Sequence, residues 1–234
     1  MTHNKIWVVV PAAGIGARVG ATIPKQYIQL AGQAMLERTL QPFIACSAIE
    51  GIVVPLAEND RWWPQLPISS HGKVSSCVGG DDRASSVLAG LEHLRNTVGS
   101  NDDWVMVHDA ARPCISTEQL ESLIAQLSDS TVGGLWAQPS TDTLKRSNHN
   151  RRVLETIDRE QVWRAQTPQM FPLELLQGAL TTALNEGVTI TDEASAIEHI
   201  GLQPQLIKGP SHNIKVTYPS DVALAEFYLS QIAK

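Results

Sequence analysis

The sequence predicts an α/β fold, with one domain built on a mainly parallel sheet that carries helices on both sides. Two observations lead to this prediction. Short runs of β-branched residues alternate with stretches of helical periodicity, which is the pattern of strands joined by crossover helices. The chain has 234 residues, of which 43% are hydrophobic and 18% are charged, and this is enough to form one extensive core.

The apolar runs predict five buried strands, at residues 6–10, 52–56, 74–78, 104–108 and 132–137. Helices are predicted at residues 82–94, 117–127, 172–184 and 219–232 from apolar residues spaced three or four apart. Ser116 and Gln119 form a capping box at the start of the second of these helices. A further helical run, residues 35–46, contains Pro42, which predicts a kink or a division of that helix.

Residues 140–158 break this alternation. Two extended runs, 141–146 and 152–157, flank the turn-forming sequence Ser-Asn-His-Asn and contain few large apolar residues. Because a two-stranded ribbon is marginally stable alone, we expect residues 139–159 to project as a β-hairpin arm that contacts a partner chain. Residues 1–138 and 160–234 then form the single core domain. A solvated hairpin without a partner is the alternative, and the pair Arg151-Arg152 in the arm receives no functional explanation.

Charge and cysteine content exclude several classes of protein. The chain has 18 Lys and Arg against 24 Asp and Glu, which argues against nucleic-acid binding because that depends on clustered basic residues. The longest apolar run, residues 6–17, is shorter than the roughly 20 residues of a membrane span. The three cysteines lie far apart and form no CxxC pair. We therefore expect neither disulfides nor a zinc site, and a cytoplasmic location.

A glycine-rich turn follows the first predicted strand, in Pro-Ala-Ala-Gly-Ile-Gly-Ala-Arg at residues 11–18. Such a turn lets backbone N–H groups converge on an anion. Its spacing fits neither the dinucleotide fingerprint nor the phosphate-binding loop that ends in Gly-Lys-Ser/Thr. Instead, Arg18 lies within the turn and Lys25 follows it. Glycines combined with two cations favour a cradle for a triphosphate over a purely structural turn.

Two further clusters lie where parallel sheets bind ligands. Gly-Gly-Asp-Asp-Arg at residues 79–83 opens a predicted helix, and helix N-termini favour anions; an N-cap formed by Asp81 or Asp82 is the alternative. His-Asp-Ala-Ala-Arg-Pro at residues 108–113 follows the fourth strand, at the carboxyl edge of the sheet. Asp109 is a suitable Mg²⁺ ligand there, although a capping role is also open. His108 is expected to make only a core hydrogen bond.

Two late segments contribute a hydroxyl group and a cation. Thr191 is predicted as a helix N-cap with acidic residues in the first turn. Lys215 ends an otherwise apolar strand-like run, where a charge is costly without an anionic partner. Together with the glycine turns, these residues favour Mg²⁺–nucleotide chemistry at one edge of the sheet.

Six motifs occur in order between residues 11 and 215: Pro-Ala-Ala-Gly-x-Gly-x-Arg, Pro-Lys-Gln, Gly-Gly-x-x-Arg, His-Asp-Ala-Ala-Arg-Pro, Thr-Asp-Glu-Ala and Asn-Ile-Lys. In this set the chain strongly resembles the 2-C-methyl-D-erythritol 4-phosphate cytidylyltransferase family. The resemblance implies a Rossmann-like nucleotidyltransferase fold and a homodimer formed through the arm. It also implies that CTP and methylerythritol phosphate give CDP-methylerythritol and pyrophosphate, in isoprenoid precursor biosynthesis, with Mg²⁺ or another divalent cation as cofactor.

The resemblance implies roles for individual residues as well. The expected catalytic set, in which the first two residues stabilise charge at the α-phosphorus, is Arg18, Lys25, Arg159 and Lys215. The residues expected to hold the nucleotide are Ala12, Ala13, Gly14, Gly16, Gly80, Asp81, Arg83 and Ser86. Those expected to hold the sugar phosphate are Asp109, Thr143, Arg159, Thr191 and Lys215. Arg159 and Thr191 would reach it from the partner subunit, and Asp109 is also the expected metal contact.

Two other functions remain as alternatives. Ribitol 5-phosphate cytidylyltransferases share three of the motifs, but their first loop usually reads Leu-Ala-Gly-Gly, and Thr-Ile-Asp-Arg at residues 156–159 resembles the methylerythritol branch. A regulatory nucleotide-binding module without catalysis would not need Arg18, Lys25, Asp109 and Lys215 together. A nicotinamide-dependent oxidoreductase is excluded by the glycine spacing.

Overall fold

The computed structural model describes residues 4–14, 23–97 and 100–232. The strands in this part of the chain are β1 (Ile6–Val9), β2 (Gln29–Leu30), β3 (Gln33–Ala34), β4 (Ile49–Leu56), β5 (Val74–Val78), β6 (Trp104–Val107), β7 (Gly134–Pro139), β8 (Leu144–Ser147), β9 (Val153–Ile157), β10 (Trp163–Pro172) and β11 (Gln205–Lys208). The α-helices are α1 (Met35–Ala45), α2 (Arg83–Thr97), α3 (Thr117–Leu127), α4 (Leu173–Asn185), α5 (Glu193–His199) and α6 (Pro219–Ile232).

Seven strands form one sheet, in the order β11-β7-β10-β6-β1-β4-β5. All of its neighbouring pairs are parallel except those of β10, which runs antiparallel to both β6 and β7. The predicted mainly parallel sheet is therefore confirmed. The five predicted strands correspond to β1, β4, β5, β6 and β7 and differ only at their ends. Neither β10 nor β11 was predicted.

Helices cover both faces of this sheet. Along β1, Val8 packs in the layer that contains α1 and α3, whereas Trp7 and Val9 pack in the layer that contains α2, α4 and α5. Helix α2 approaches β1 closely at Gly90, since a Cβ there would lie 2.7 Å from Cγ1 of Val9. Strands buried on both faces explain the continuous apolar runs of the sequence.

Helix α3 spans the predicted residues and begins with the predicted capping box, in which the Gln119 amide donates to Ser116 Oγ at 3.4 Å and the Ser116 amide to Gln119 Oε1 at 3.0 Å. The predicted division at Pro42 is wrong, because α1 continues through it to Ala45. Pro42 lies in the last turn of α1, and its carbonyl accepts the Cys46 amide at 3.1 Å. Helix α5 was not predicted.

Strands β8 and β9 pair antiparallel as a separate hairpin, whose apolar residues Val153 and Leu154 are each 62% exposed. Its turn is organised by Asn148, which accepts the amides of Asn150 and Arg152 at 3.0 Å each. Arg151 adopts a left-handed conformation there, with φ 58°. The hairpin thus has a defined turn but no apolar face buried against the rest of its own chain. None of the described helices is long and apolar enough to cross a membrane.

Candidate active site

A cleft of about 290 Å³ opens at the carboxyl edge of the sheet. The segments that follow β1, β5 and β6 converge there, as expected for a parallel sheet. Predicted site residues that line this cleft are Ala12, Ala13, Gly14, Lys25, Gly80, Asp81, Arg83, Ser86, Asp109 and Lys215. The structure therefore brings together in one cavity residues that are up to about two hundred positions apart in the sequence.

A second pocket adjoins the first, and three residues line both: Arg83, Asp109 and Lys215. The second pocket is otherwise lined by polar residues that include Arg112, Gln166, Thr167, Gln169, Thr191 and Asp192. Of these, Thr191 belongs to the predicted set, but it lines this cavity within its own chain, whereas it was expected to reach the sugar phosphate from the partner subunit. The two cavities thus adjoin along charged side chains that they share.

The predicted residues Thr143 and Arg159 lie outside both cavities of their own chain. Both are exposed, and Arg159 Nη1 donates to the carbonyl of Thr141. The predictions for Gly16 and Arg18 concern positions outside the described residues.

The two glycine turns pack directly on each other. A Cβ on Gly79 would lie 2.8 Å from the Cβ of Ala13, so this approach requires glycine. The second turn is held by Ser86, whose hydroxyl donates to the Asp82 carbonyl at 2.8 Å and accepts the Gly80 amide at 3.1 Å. Asp82 serves as the N-cap of α2, since its Oδ1 accepts the Ser85 amide at 2.8 Å. Both candidate caps, Asp81 and Asp82, line the cleft.

The turn that carries Lys25 is anchored by its two following residues. Gln26 is buried and donates from Nε2 to the Ala12 carbonyl at 2.7 Å, which ties this turn to the end of β1. The Tyr27 hydroxyl donates to Asp60 Oδ2 at 2.6 Å. Lys25 Nζ lies 3.5 Å from the Val216 carbonyl, next to Lys215 in sequence. The hydrogen bonds of Gln26 and Tyr27 therefore anchor the turn that carries this cation.

The three shared residues belong to a cluster of five charged side chains, which also includes Arg112 and Glu193. Asp109 Oδ1 lies 3.1 Å from Arg83 Nε, and Asp109 Oδ2 lies 3.2 Å from Arg112 Nε and 2.9 Å from Lys215 Nζ. Arg83 also binds Glu193 through both terminal nitrogens, at 2.6 and 3.0 Å. Three cations against two carboxylates leave a net positive charge, which favours phosphate-bearing ligands.

Burial and charge act in opposite directions on these groups. Burial favours neutral Asp109, but Arg83, Lys215 and Arg112 outweigh it and hold the pKa of this carboxyl far below its usual range. Burial also disfavours the charge of Arg83, yet Glu193 and Asp109 raise its pKa. Burial raises the pKa of Glu193, which Arg83 opposes. Asp109 is consequently ionised at neutral pH, and it is the anionic partner of Lys215, whose Nζ lies 2.9 Å from it. The expected apolar strand end at Lys215 is wrong, because residues 213–216 form no strand and the Lys215 side chain is exposed.

His108 makes the predicted core contacts. It is fully buried, with Nε2 2.9 Å from the Arg112 carbonyl and Nδ1 3.1 Å from Thr167 Oγ1. A carbonyl only accepts, so Nε2 carries the proton. Burial lowers the pKa of His108 to about 4, so Nδ1 is an acceptor for the Thr167 hydroxyl. Thr167 Oγ1 in turn accepts the Asp109 amide at 3.0 Å. The neutral imidazole thus orients the backbone at Asp109.

Acidification is expected to destabilise the fold through His108. The unfolded chain takes up the proton near pH 6.5 and the folded chain only near pH 4, so the stabilisation present above pH 6.5 is lost as the pH falls to 4. Full loss corresponds to about 3 kcal/mol of unfolding free energy. Urea denaturation between pH 7.5 and 4.5 would measure it. His108→Gln should flatten this dependence, whereas exposed His149→Gln should keep it; equal slopes in all three proteins would contradict the assignment.

The structure corrects one local prediction and adds residues. The N-cap of α5 is Asp192, whose Oδ1 accepts the Ser195 amide at 3.0 Å, and Thr191 lies one position earlier. Arg112 was overlooked although it stands inside the His-Asp-Ala-Ala-Arg-Pro motif. Thr167 and Gln169 belong to β10 and gave no periodic signal. Gln169 accepts the Ala194 amide at 2.8 Å and donates to Asp192 at 2.9 Å, which fixes the start of α5 beside the second pocket.

Comparisons with known proteins agree with this arrangement. The sequence model of the 2-C-methyl-D-erythritol 4-phosphate cytidylyltransferase family matches residues 6–231. The enzyme of that name from Ectopseudomonas mendocina is 50% identical over 220 residues, which cover 94% of each chain. The one from Hahella chejuensis is 45% identical over 232 residues, or 99% of this chain and 96% of the relative.

Solved structures agree as well. The crystal structure of the Francisella tularensis enzyme superposes with a TM-score of 0.84 at 35% identity, covering 96% of this chain and all of that one. That of the Thermus thermophilus enzyme gives 0.78 at 28% identity, covering 97% and 99%. With the fold, the paired cavities and the matched motifs in agreement, the chain belongs to the 2-C-methyl-D-erythritol 4-phosphate cytidylyltransferase family.

Proposed function

We infer that this chain transfers the cytidylyl group of CTP to 2-C-methyl-D-erythritol 4-phosphate, releasing pyrophosphate, as a step of isoprenoid precursor biosynthesis. The observation that carries this inference is the pair of adjoining cavities with a common wall of Arg83, Asp109 and Lys215. One cavity has the features of a nucleotide site and the other those of a polyol phosphate site. The three cysteines, all free, suit the proposed cytoplasmic location.

The first cavity suits the nucleotide. The cavity lining includes the small residues Ala13, Gly14 and Gly80. Because their side chains are small or absent, their backbone groups are accessible to a base and a ribose. Asp81 and Ser86 lie on the same side of the cleft, and Lys25 lies across from them on its own turn. We place the cytidine on the glycine turns and the triphosphate towards Lys25, with Gly16 and Arg18 contributing from the same turn.

The second cavity suits the sugar phosphate. Arg112 and Lys215 supply cations, and the hydroxyls of Thr167 and Thr191 match the hydroxyls of a polyol. Asp109 faces both cavities, so it orients the two cations between the substrates. Such a site recognises a phosphorylated polyol by charge at one end and hydrogen bonds along its length.

The reaction needs no nucleophilic side chain, because the substrate phosphate is itself a competent nucleophile. One of its oxygens attacks the α-phosphorus of CTP in line; the new P–O bond forms as the bond to the β-phosphate bridging oxygen breaks, and pyrophosphate leaves. Charge grows on the α-phosphate oxygens and on the leaving group. Lys25, Arg18 and Lys215 act by position and charge neutralisation.

Magnesium or another divalent cation is proposed as the cofactor that accompanies the triphosphate. No cluster of three or more His, Cys, Asp and Glu side chains within residues 4–14, 23–97 and 100–232 could hold a metal ion. Both carboxylate oxygens of Asp109 already contact cationic side chains. The residues of the site are therefore poorly suited to hold a divalent metal ion by protein ligands alone. They are compatible with an ion that the phosphates and water carry and whose charge offsets that of the triphosphate.

The arm is proposed to join two copies of the chain in a homodimer. Its exposed Val153 and Leu154 need cover, and Arg159 and Thr143 lie outside both cavities of their own chain. We propose that a two-fold pairing of arms brings Arg159 to the second cavity of the partner, as the family resemblance implies. The sugar phosphate site would then draw on both subunits.

Pyrophosphate release with CTP and Mg²⁺ tests the proposed reaction, with methylerythritol phosphate and ribitol 5-phosphate compared in parallel. Release with the first substrate alone is expected, with Lys25→Ala as the background. Preference for ribitol 5-phosphate would keep the nucleotide site but contradict the proposed acceptor. No release with either, in a protein that still binds CTP, would identify a regulatory nucleotide-binding module.

A further inference from the structure

Arg83 occupies a junction between the two cavities. It is the first residue of α2 and follows directly on the Gly-Gly-Asp-Asp turn of the nucleotide cavity. Its guanidinium reaches Asp109 through Nε at 3.1 Å and Glu193 through both Nη atoms. A guanidinium engaged on all of these sides is held in one orientation. Arg83 is therefore a connector within the protein as well as part of the cavity wall.

Glu193 is the carboxylate that fixes this orientation. Its side chain is 1% exposed and lines neither cavity, so it does not touch a substrate. It is the first residue of α5 and follows Thr191 and Asp192, which line the second cavity. A bidentate pair at 2.6 and 3.0 Å thus joins the turn of one cavity to the segment that forms the other.

We propose that Glu193 is a positioning residue, whose pair with Arg83 couples occupancy of the nucleotide cavity to that of the sugar phosphate cavity. This inference rests on the proposed function. A nucleotide that settles on the Gly80 turn contacts the start of α2, where Arg83 lies. Because Arg83 is joined to Glu193, this nucleotide and a ligand at the Thr191 segment act on one connected set of charged groups. The affinity for the second ligand then depends on whether the first is bound, which appears as tighter binding.

Neutralising Glu193 separates this role from simple damage to the site. Glu193→Gln keeps the shape of the side chain and one hydrogen-bond acceptor for Arg83. It weakens the bidentate pair between residues 83 and 193 and makes the charged cluster more positive. Each ligand alone should therefore bind about as well as before, whereas damage to the cavities would weaken both. Arg83→Met/Glu193→Met is a second variant that leaves neither buried charge unpaired, which protects folding. Glu186→Gln is the matched control, because Glu186 is exposed and contacts only His199 at the end of α5.

The experiment measures calorimetric affinity for methylerythritol phosphate, with and without saturating α,β-methylene CTP, which cannot react. In the unaltered protein and in Glu186→Gln, the analogue should tighten binding about fivefold or more. In Glu193→Gln this ratio should fall to about one, with affinity for the analogue alone within about threefold of normal. The ratio should also fall to about one in the double variant, whose affinity for the analogue alone should drop because Arg83 lines the nucleotide cavity. Thermal unfolding of each variant shows that it is folded.

Three outcomes would overturn the inference: no tightening in the unaltered protein, an undiminished ratio in Glu193→Gln, or a parallel loss of both affinities at an unchanged ratio. Failure of the proposed function would be different, since the unaltered protein would then release no pyrophosphate from CTP and methylerythritol phosphate, whether or not it binds the analogue. Turnover by the unaltered protein without coupling would count against the role of Glu193 alone.

Discussion

Lys25→Ala is expected to lower kcat by about 10²–10³-fold, or about 3–4 kcal/mol of barrier, which is the cost of losing one preorganised donor at a developing charge. The cation lines the nucleotide cavity, on a turn that is anchored by the hydrogen bonds of Gln26 and Tyr27. Removing Nζ should therefore leave the turn in place. The fold should remain intact, and the loss should appear in kcat more than in the KM for CTP.

Steady-state pyrophosphate release at saturating substrates measures this loss, and circular dichroism on heating checks the fold. Lys5→Ala is a suitable control, because Lys5 precedes β1 at the opposite edge of the sheet and contacts exposed Glu50 at 3.1 Å. That variant should keep full activity. A rate constant unchanged in Lys25→Ala would remove this residue from the proposed mechanism.

The second large expected effect is that two inactive variants restore activity when they are combined in one heterodimer. If Arg159 acts on the partner subunit, a heterodimer of Lys25→Ala and Arg159→Ala chains has one site with both side chains intact and one with neither. Two parents of very low activity should therefore give a heterodimer with about half the wild-type activity per dimer. The exposed position of Arg159, outside both cavities of its own chain, is the structural reason for this expectation.

Co-expression with two different affinity tags isolates the heterodimer for this test. The control is a heterodimer of Lys25→Ala with a chain that carries both substitutions, because none of its sites has both groups. It should stay as inactive as the parents. Should each site be built within one chain, the first heterodimer would be equally inactive, and the proposed role of the arm would be wrong.

The sequence predicted those parts of the fold whose signal is local. Helix α3 matched to the residue because its capping box and its apolar face lie within the same stretch. Strand β10 was missed because it buries Gln166, Thr167 and Gln169, which have no apolar periodicity. Their burial is tolerated through hydrogen bonds with distant backbone, such as the one that the Ala194 amide donates to Gln169 Oε1. Such partners are invisible in a local pattern.

The candidate site shows the same division. The glycine turns and the cations of the motifs predicted the nucleotide cavity. All of the predicted nucleotide-binding residues that the structure describes line this cavity. Glu193 was counted only as an acid in a first helical turn, since nothing local shows that Arg83, 110 positions earlier, will meet it. Thr191 was placed as the cap because Ser, Thr and Asp compete for that position and tertiary contacts decide between them.

The reversed direction of β10 decides where the arm can be. Strand β7 ends at Pro139, β10 begins at Trp163, and these two residues are partners in the sheet. The Ser140 amide also donates to the Val162 carbonyl at 2.9 Å, so the excursion between them closes on itself. A parallel strand in this place would have needed a crossover from the opposite edge. As a closed excursion at the carboxyl edge of the sheet, the arm can change in length and sequence while the register of the sheet stays fixed, and the contact that it is proposed to make with a second copy can diverge independently of the fold.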